Sequence, residues 1–232
     1  TLRGLLQAAA AWATTGGWMA AQAQSRSNIV ELRGDVLRNG QALTAHDSIA
    51  MGDRIETGPG STAVFAVGSS AFMLRQNTRV ALEGDGKGDE STTVKVLRLL
   101  TGAVASVWGK GTDRQVALPT LTAGIRGTGV YAEVFPEQAL RGYFCNCYGT
   151  VDLAAGSESL VSQSVYHQSF WAETAPRNGR LLTPAGAINH TDEELEFLAS
   201  LIGQRTAWQI AGRKGTKDGS GQMNYPAPAS AA

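Results

Sequence analysis

Thr120-Leu121-Thr122-Ala123-Gly124-Ile125-Arg126-Gly127-Thr128-Gly129-Val130-Tyr131-Ala132-Glu133-Val134 mixes strand-forming residues with closely spaced glycines. Ile125, Val130, Ala132 and Val134 favour extended backbone. Gly124, Gly127 and Gly129 weaken an interior strand, because they carry no side chain to pack and lose more backbone entropy. Glycines so placed mark a bulge or the close approach of another backbone. Arg126 is the only charged residue between Leu121 and Tyr131. The expectation is a strand pair bent tightly around one guanidinium. Two roles are open for Arg126: holding an anionic ligand, or serving as a buried internal tie to Asp53 or Glu133.

Outward from this stretch, short strands and turn residues alternate. Toward the N-terminus lie 29–32 and 36–38, followed by Asn39-Gly40, a hairpin dipeptide. Residues 48–57 alternate and end at Gly58-Pro59-Gly60, and 63–67 and 71–74 flank Gly68-Ser69-Ser70. Further strands are expected over 80–82, 94–100, 103–108 and 115–118, with a polar loop at 83–91. One short strand about every 10 residues predicts a mainly β domain, a compact solenoid or sandwich-like fold, over residues 28–153. Residues 154–210 form a C-terminal extension, an irregular excursion with one strand at 162–170 and then a helix. Thr191-Asp192-Glu193-Glu194 is a capping box, Leu195, Leu198, Leu201 and Ile202 make one apolar stripe, and Gly203 supplies the stop. The Gly/Lys/Ser-rich segment 211–232 is expected to be disordered.

The formal net charge of the 232 residues is zero and no Lys/Arg cluster occurs, which argues against nucleic acid as a partner. Residues 1–24 read as an export signal: Arg3, an apolar run from Leu5 to Ala23, and Ala21-Gln22-Ala23 as a small-x-small cleavage pattern. Gln7, Thr14, Thr15 and Gly16-Gly17 make this run a poor permanent anchor, so no stable membrane span is expected after cleavage. The expected location is periplasmic or otherwise extracytoplasmic.

Cys145-Asn146-Cys147 carries the most chemistry. On a strand, residues two apart share a face with Cα atoms about 6.5 Å apart, the upper edge for a disulfide. Two such thiolates can instead lean onto one metal. His167 and His190 complete a Cys2His2 set that would staple the extension to the sheet. A strained or redox disulfide, a metal ion or haem site, and inert thiols remain the three readings. Asp85, Asp89 and Glu90 miss the spacing of a calcium loop and read as a solvated hairpin tip. Trp108, Trp171 and Trp208 have two readings, surface anchors for a carbohydrate or protein and core or lid packing, of which packing is favoured. With no G-x-S-x-G, H-E-x-x-H or phosphate-loop motif, catalysis is not expected.

Four segments, Gly52-Asp53-Arg54-Ile55-Glu56-Thr57-Gly58, Ala63 to Leu74 across a Gly-Ser turn, Thr101-Gly102-Ala103-Val104 and Ala123-Gly124-Ile125-Arg126-Gly127-Thr128, occur in an order that resembles the FecR domain. The resemblance covers about 29–153 and implies a β-rich extracytoplasmic domain with Asp53, Arg126, Gly127 and Thr128 in its structural core. It also implies an envelope protein or receptor as partner. No cytoplasmic anti-sigma region is read ahead of the apolar segment, so the resemblance carries fold and compartment, not sigma-factor control. The function expected is an exported, non-catalytic sensing or scaffold module. The alternative is a metal- or redox-active protein built on Cys145, Cys147, His167 and His190.

Overall fold

A computed structural model describes residues 27–84, 94–111 and 114–223. The strands are β1 (Ile29–Arg33), β2 (Val36–Arg38), β3 (Gln41–Ala42), β4 (Arg54–Thr57), β5 (Thr62–Val67), β6 (Ser70–Leu74), β7 (Arg79–Glu83) and β8 (Val96–Trp108). They continue as β9 (Arg114–Ala117), β10 (Thr122–Ile125), β11 (Gly129–Phe135), β12 (Arg141–Ala155), β13 (Glu158–Ser164), β14 (Tyr166–Arg177) and β15 (Arg180–Ala185). Two helices, α1 (Asp192–Leu201) and α2 (Ala207–Ala211), precede the last strand, β16 (Ser220–Gly221).

The strands build two layers that share β8 and β12 and close on each other in a barrel-like way. The first layer runs β1-β5-β6-β8-β11-β12-β14-β15, with β16 also on β14. The second runs β3-β2-β4-β7-β8-β9-β10-β12-β13, and its β8–β9 pair is parallel. β8 and β12 change layers at Gly102 (φ 77°) and Gly149 (φ 101°). Positive φ suits glycine, and corners of this kind arise where one strand turns from one sheet into another.

The main core lies between the layers: Phe65, Phe72, Val104, Trp108, Val130 and Phe144 face Ile55, Leu82, Leu97, Leu99, Ile125 and Val151. A second apolar cluster covers the opposite face of the first layer. There Tyr131, Tyr143, Cys145 and Cys147 lie under Leu195, Leu198 and Ala199 of α1 and Trp208 of α2. The first layer is therefore buried on both faces, which explains why Gly142-Tyr143-Phe144-Cys145-Asn146-Cys147-Tyr148 shows no alternation and is buried throughout. Leu195 and Leu198, fully buried, contribute about 1.5–3 kcal/mol each to holding α1 down.

The mainly β architecture with a C-terminal helix agrees with the sequence; several local expectations do not. β10 lies in the second layer and β11 in the first, and each pairs with β12 instead of with the other. The glycine-rich stretch is thus a crossover between layers, not a bent strand pair. The excursion after residue 154 is not irregular: β13, β14 and β15 are regular strands, the last two joined through Asn178-Gly179 (φ 52° and 78°). Of residues 48–57 only β4 is a strand, and 94–100 with 103–108 form the single strand β8. Residues 212–223, expected to be disordered, are held by β16 and by Lys214 and Lys217, which reach Asp192. The expected export segment 1–24, the acidic tip 85–90 and the tail beyond 223 lie outside the described residues. Among the described residues no helix is long and apolar enough to cross a membrane.

A Cβ on Gly102 would lie 2.4 Å from Thr78 Oγ1 and 2.6 Å from its Cα. Gly102→Ala adds this overlap to the cost of a left-handed alanine. It is expected to lower stability by at least about 2 kcal/mol, read as a shifted urea midpoint; an unchanged midpoint would remove Gly102 as a corner.

Candidate metal centre

On β12, Tyr143, Cys145 and Cys147 share the outer face of the first layer, because side chains two apart on a strand point the same way. β14 runs beside β12, with Cys145 opposite Ser169 and Asn146 opposite Gln168. His167 would continue this ladder, but it bulges: its φ is 51° and the register against β16 slips between Tyr166 and Gln168. A buried non-glycine residue in this conformation costs about 1–3 kcal/mol, and such strain collects where function over-determines the backbone. His190 arrives from the loop before α1, just after Asn189 at φ 59°. Its ring stacks on Tyr131, centroids 4.6 Å apart and 13° from parallel.

The two thiols and two imidazoles converge. Their ligand atoms all lie within 4.8 Å of one another, and all four residues are buried. Cys145 Sγ and Cys147 Sγ are 3.6 Å apart. Cys145 Sγ lies 3.6 Å from His167 Nδ1, and Cys147 Sγ lies 3.5 Å from His190 Nε2. His167 Nδ1 and His190 Nε2 are 3.0 Å apart. Zinc bonds of about 2.3 Å to sulfur and about 2.05 Å to nitrogen give a tetrahedron with edges of about 3.8 Å (S–S), 3.6 Å (S–N) and 3.3 Å (N–N). Around the ring Cys145–Cys147–His190–His167, the three separations that include a sulfur match to within about 0.2 Å, and the imidazole nitrogens need to part by about 0.3 Å.

The outer partners fix the tautomers. His167 Nε2 lies 2.9 Å from Asp192 Oδ1, and a carboxylate can only accept, so this nitrogen carries the proton. His190 Nδ1 lies 2.5 Å from the carbonyl of Ile188, which likewise requires N–H there. Both remaining ring nitrogens then turn lone pairs into the same dry space as the two sulfurs. Without a cation, protons on the thiols or on an imidazole must fill that space; a cation there satisfies all four ligands.

Asp192 organises the surroundings. It is the first residue of α1, and besides the His167 N–H it accepts the Tyr166 hydroxyl at 2.8 Å and Lys214 Nζ at 3.1 Å. Burial pushes its carboxyl up, but the bonds from His167, Tyr166 and Lys214 outweigh this and hold it far below the usual carboxylate range. Burial pulls His167 down, yet its bonds to Asp192 and Cys145 leave it above the usual histidine value. Burial raises both cysteines, but the Cys147 thiol and the nearby His190 and His167 rings bring Cys145 below an ordinary thiol, while Cys147 stays above it. Trp208 closes the roof: it stacks on His167 at 5.3 Å and anchors its indole N–H on Glu196 Oε1 at 2.6 Å. Arg75, after β6, bonds Glu194 of α1 at 2.6 Å and adds a second tie.

Cys145, Cys147, His167 and His190 are therefore brought together. The two cysteines are free thiols, and the space among the four is the size of one ion, too small for a haem macrocycle. Other expected sites part company. Arg126 is exposed and bonds Asp152 at 2.6 and 2.8 Å, not Asp53 or Glu133, because the crossover carries it outward. Asp53 bonds Asn39 and the Ala50 N–H in a surface turn, outside the core. Thr128 is fully buried, and Gly127 turns the chain at φ 78°. Asp192, Tyr166, Lys214 and Trp208 went unread as site residues, although Asp192 stood in view inside the capping box.

No family model matches the sequence, and no curated protein is significantly similar to it. Two crystal structures of a candidate anti-sigma factor from Parabacteroides distasonis ATCC 8503 share 10% identity at a TM-score of 0.45, over 56% of this chain and 58% of that one. The match thus spans little more than half of that protein, and a likeness at this level assigns neither fold nor function.

Asp192→Ala leaves the His167 N–H and the Tyr166 hydroxyl buried without acceptors. It is expected to cost about 2–4 kcal/mol in urea unfolding at neutral pH. A cost under about 0.5 kcal/mol would mean that Asp192 does not organise the centre.

Proposed function

We propose that this chain is a non-catalytic metalloprotein module in which Cys145, Cys147, His167 and His190 hold one zinc-class ion. The observation that carries it is the buried set of two sulfurs and two imidazole lone pairs, all within 4.8 Å of one another, each imidazole oriented by an outer partner. Mixed thiolate and imidazole donors in a tetrahedron suit zinc. Four protein ligands in a closed, dry space leave no position for substrate, which favours a structural over a catalytic ion. The ligands come from β12, β14 and the loop before α1, so the ion would join the C-terminal extension to the sheet. The Asp192–His167 pair corresponds to the outer-sphere carboxylate that orients a metal-bound imidazole.

The FecR-like motifs and the export-type N-terminus support placing this module outside the cytoplasm, as a sensing or scaffold element that docks another envelope component. A second reading, a Cys145–Cys147 redox couple, is favoured by the closeness of the two sulfurs. One experiment separates the two. Protein purified without chelator or affinity tag is weighed by native and by denaturing mass spectrometry, and its metal is quantified. The expected result is one zinc per chain, present only in the native mass, with cobalt substitution giving a tetrahedral thiolate spectrum. Cys147→Ser is expected to lose the ion, and zinc at 100 times its dissociation constant should stabilise the chain by about 2.7 kcal/mol. A metal-free native mass, no cobalt spectrum and a denatured mass two hydrogens short would replace the metal reading with a disulfide. Reproducible recovery of an envelope protein in pull-downs tests the docking role; recovery of nothing counts against it.

A further inference from the structure

Residues 212–223 run past the outside of the centre as a strap. Gly212 (φ 68°) ends α2, and the chain then meets Asp192 and settles on β14 as β16. Two lysines of the strap act on the imidazoles from behind. Lys214 Nζ lies 3.1 Å from Asp192 Oδ2, on the carboxylate that holds the His167 N–H. Lys217 donates to the His190 carbonyl and lies 3.8 Å from Asp192 Oδ1. Glycines seat the strap closely. A Cβ on Gly215 would meet the Tyr166 ring at 2.9 Å, one on Gly221 the Gln168 Cβ at 2.8 Å, and one on Gly219 the Ala185 carbonyl oxygen at 2.0 Å.

The strap fits its bed, yet little holds it there. β16 has two residues, flanked by bonds from the Val165 N–H to Gly221 at 3.0 Å and from the Ser169 N–H to Gly219 at 3.1 Å. Its one large apolar side chain, Met223, is half-buried, whereas α1 is pinned by the fully buried Leu195 and Leu198. The Lys214 and Lys217 side chains are 40% and 30% exposed, so salt can screen their ion pairs. Few buried apolar contacts and solvent-exposed ties mark the parts of a fold that open locally, far below the cost of global unfolding.

We propose that residues 212–223 form a latch over the four-ligand space, and that its opening, without unfolding of the sheet, sets the rate at which an ion or a small reagent reaches Cys145 and Cys147. For an ion this rests on the metal reading above; for a reagent it does not. Unlatching takes Lys217 from the His190 carbonyl and Lys214 from Asp192 together, so both imidazoles lose a support in one event. Trp208, stacked on His167, belongs to the short helix that leads into the strap, and the roof loosens with it.

The chain has two cysteines, so alkylation by iodoacetamide, an uncharged reagent, reports access to the centre and needs no metal. The metal-free chain is followed by mass spectrometry, and the zinc-loaded chain by transfer of zinc to excess colorimetric chelator. Both rates are expected to rise with sodium chloride and to stay nearly flat in urea below the unfolding transition, since local opening exposes little surface. Lys214→Met combined with Lys217→Met leaves Asp192 its bonds from His167 and Tyr166, and should speed alkylation at least about tenfold. Gly219→Ala drives a methyl group into the Ala185 carbonyl and should do the same with both lysines in place. Alkylation at the unsubstituted rate in both variants overturns the latch. So does an unsubstituted chain whose rate climbs with urea in step with global unfolding. A native mass without zinc, with alkylation still governed by the strap, removes the ion and keeps the latch. Zinc retained, and released no faster by the strap variants, removes the latch and keeps the ion.

Discussion

Burying two thiols and two imidazoles in one dry space is the constraint from which the C-terminal half of this protein takes its shape. Each polar group removed from water must be satisfied, and side chains carrying both lone pairs and titratable protons are among the hardest to satisfy together. The protein meets the requirement from outside. Asp192 takes the far proton of His167 and the Ile188 carbonyl takes that of His190, so the near nitrogens face the sulfurs as acceptors. Asp192 in turn must stay ionised within the interior, and Tyr166 and Lys214 hold it there. Shifting any one of these groups leaves a neighbour buried without its partner.

This chain of dependence explains why residues beyond 153 are ordered at all. α1 has ten residues and α2 five, too few to be stable helices alone in water. They persist because the outer face of the first layer offers them an apolar bed, and because α1 begins at the residue that orients His167. Lys214 and Lys217 follow from the same need. A Gly- and Lys-rich segment with little to bury would remain solvated, but a buried carboxylate draws both lysines in, and β16 then settles on β14.

The sequence disclosed these layers unevenly, for physical reasons. The hairpin at Asn39-Gly40 and the capping box at Thr191 were legible because each depends on local backbone geometry. Asn178-Gly179 and Thr206…Gln209 carry the same two signals and mark the β14–β15 hairpin and α2. They were obscured because β14 shows no alternation, being largely buried over 166–172 and exposed over 174–177 beside the turn, while α2 is too short for an apolar stripe. The cysteines and histidines could be grouped from residue type and compartment alone. Asp192 could not, since an acid in a first helical turn already has a sufficient local explanation in the helix dipole. Only the tertiary placement of β14 against that turn gives it a second role. Arg126 was misjudged for the converse reason: glycines around a lone charge suggest an internal tie when they flank a paired strand, but here they let the chain cross between layers and swing the guanidinium into solvent.

The contact between Tyr148 and Trp208 shows how the pairing within one layer sets the roof over the cluster. Gly129 is opposite Tyr148 and carries no side chain, and a Cβ there would meet the tyrosine ring at 2.3 Å, so the ring lies flat across the strand pair. Laid flat, it packs edge-on against Trp208, whose other contacts are His167 and Tyr166. The ring's hydroxyl is buried with no hydrogen-bond partner among the described residues, while the adjacent Cys147 turns its sulfur into the cluster. A metal at the cluster would fix His167 and, through the stacked indole, the position of Tyr148. Trp208 is therefore the one side chain that meets both Tyr148 on β12 and His167 on β14, so the roof over the cluster is set by the same strand pairing that brings the cysteines beside the histidine.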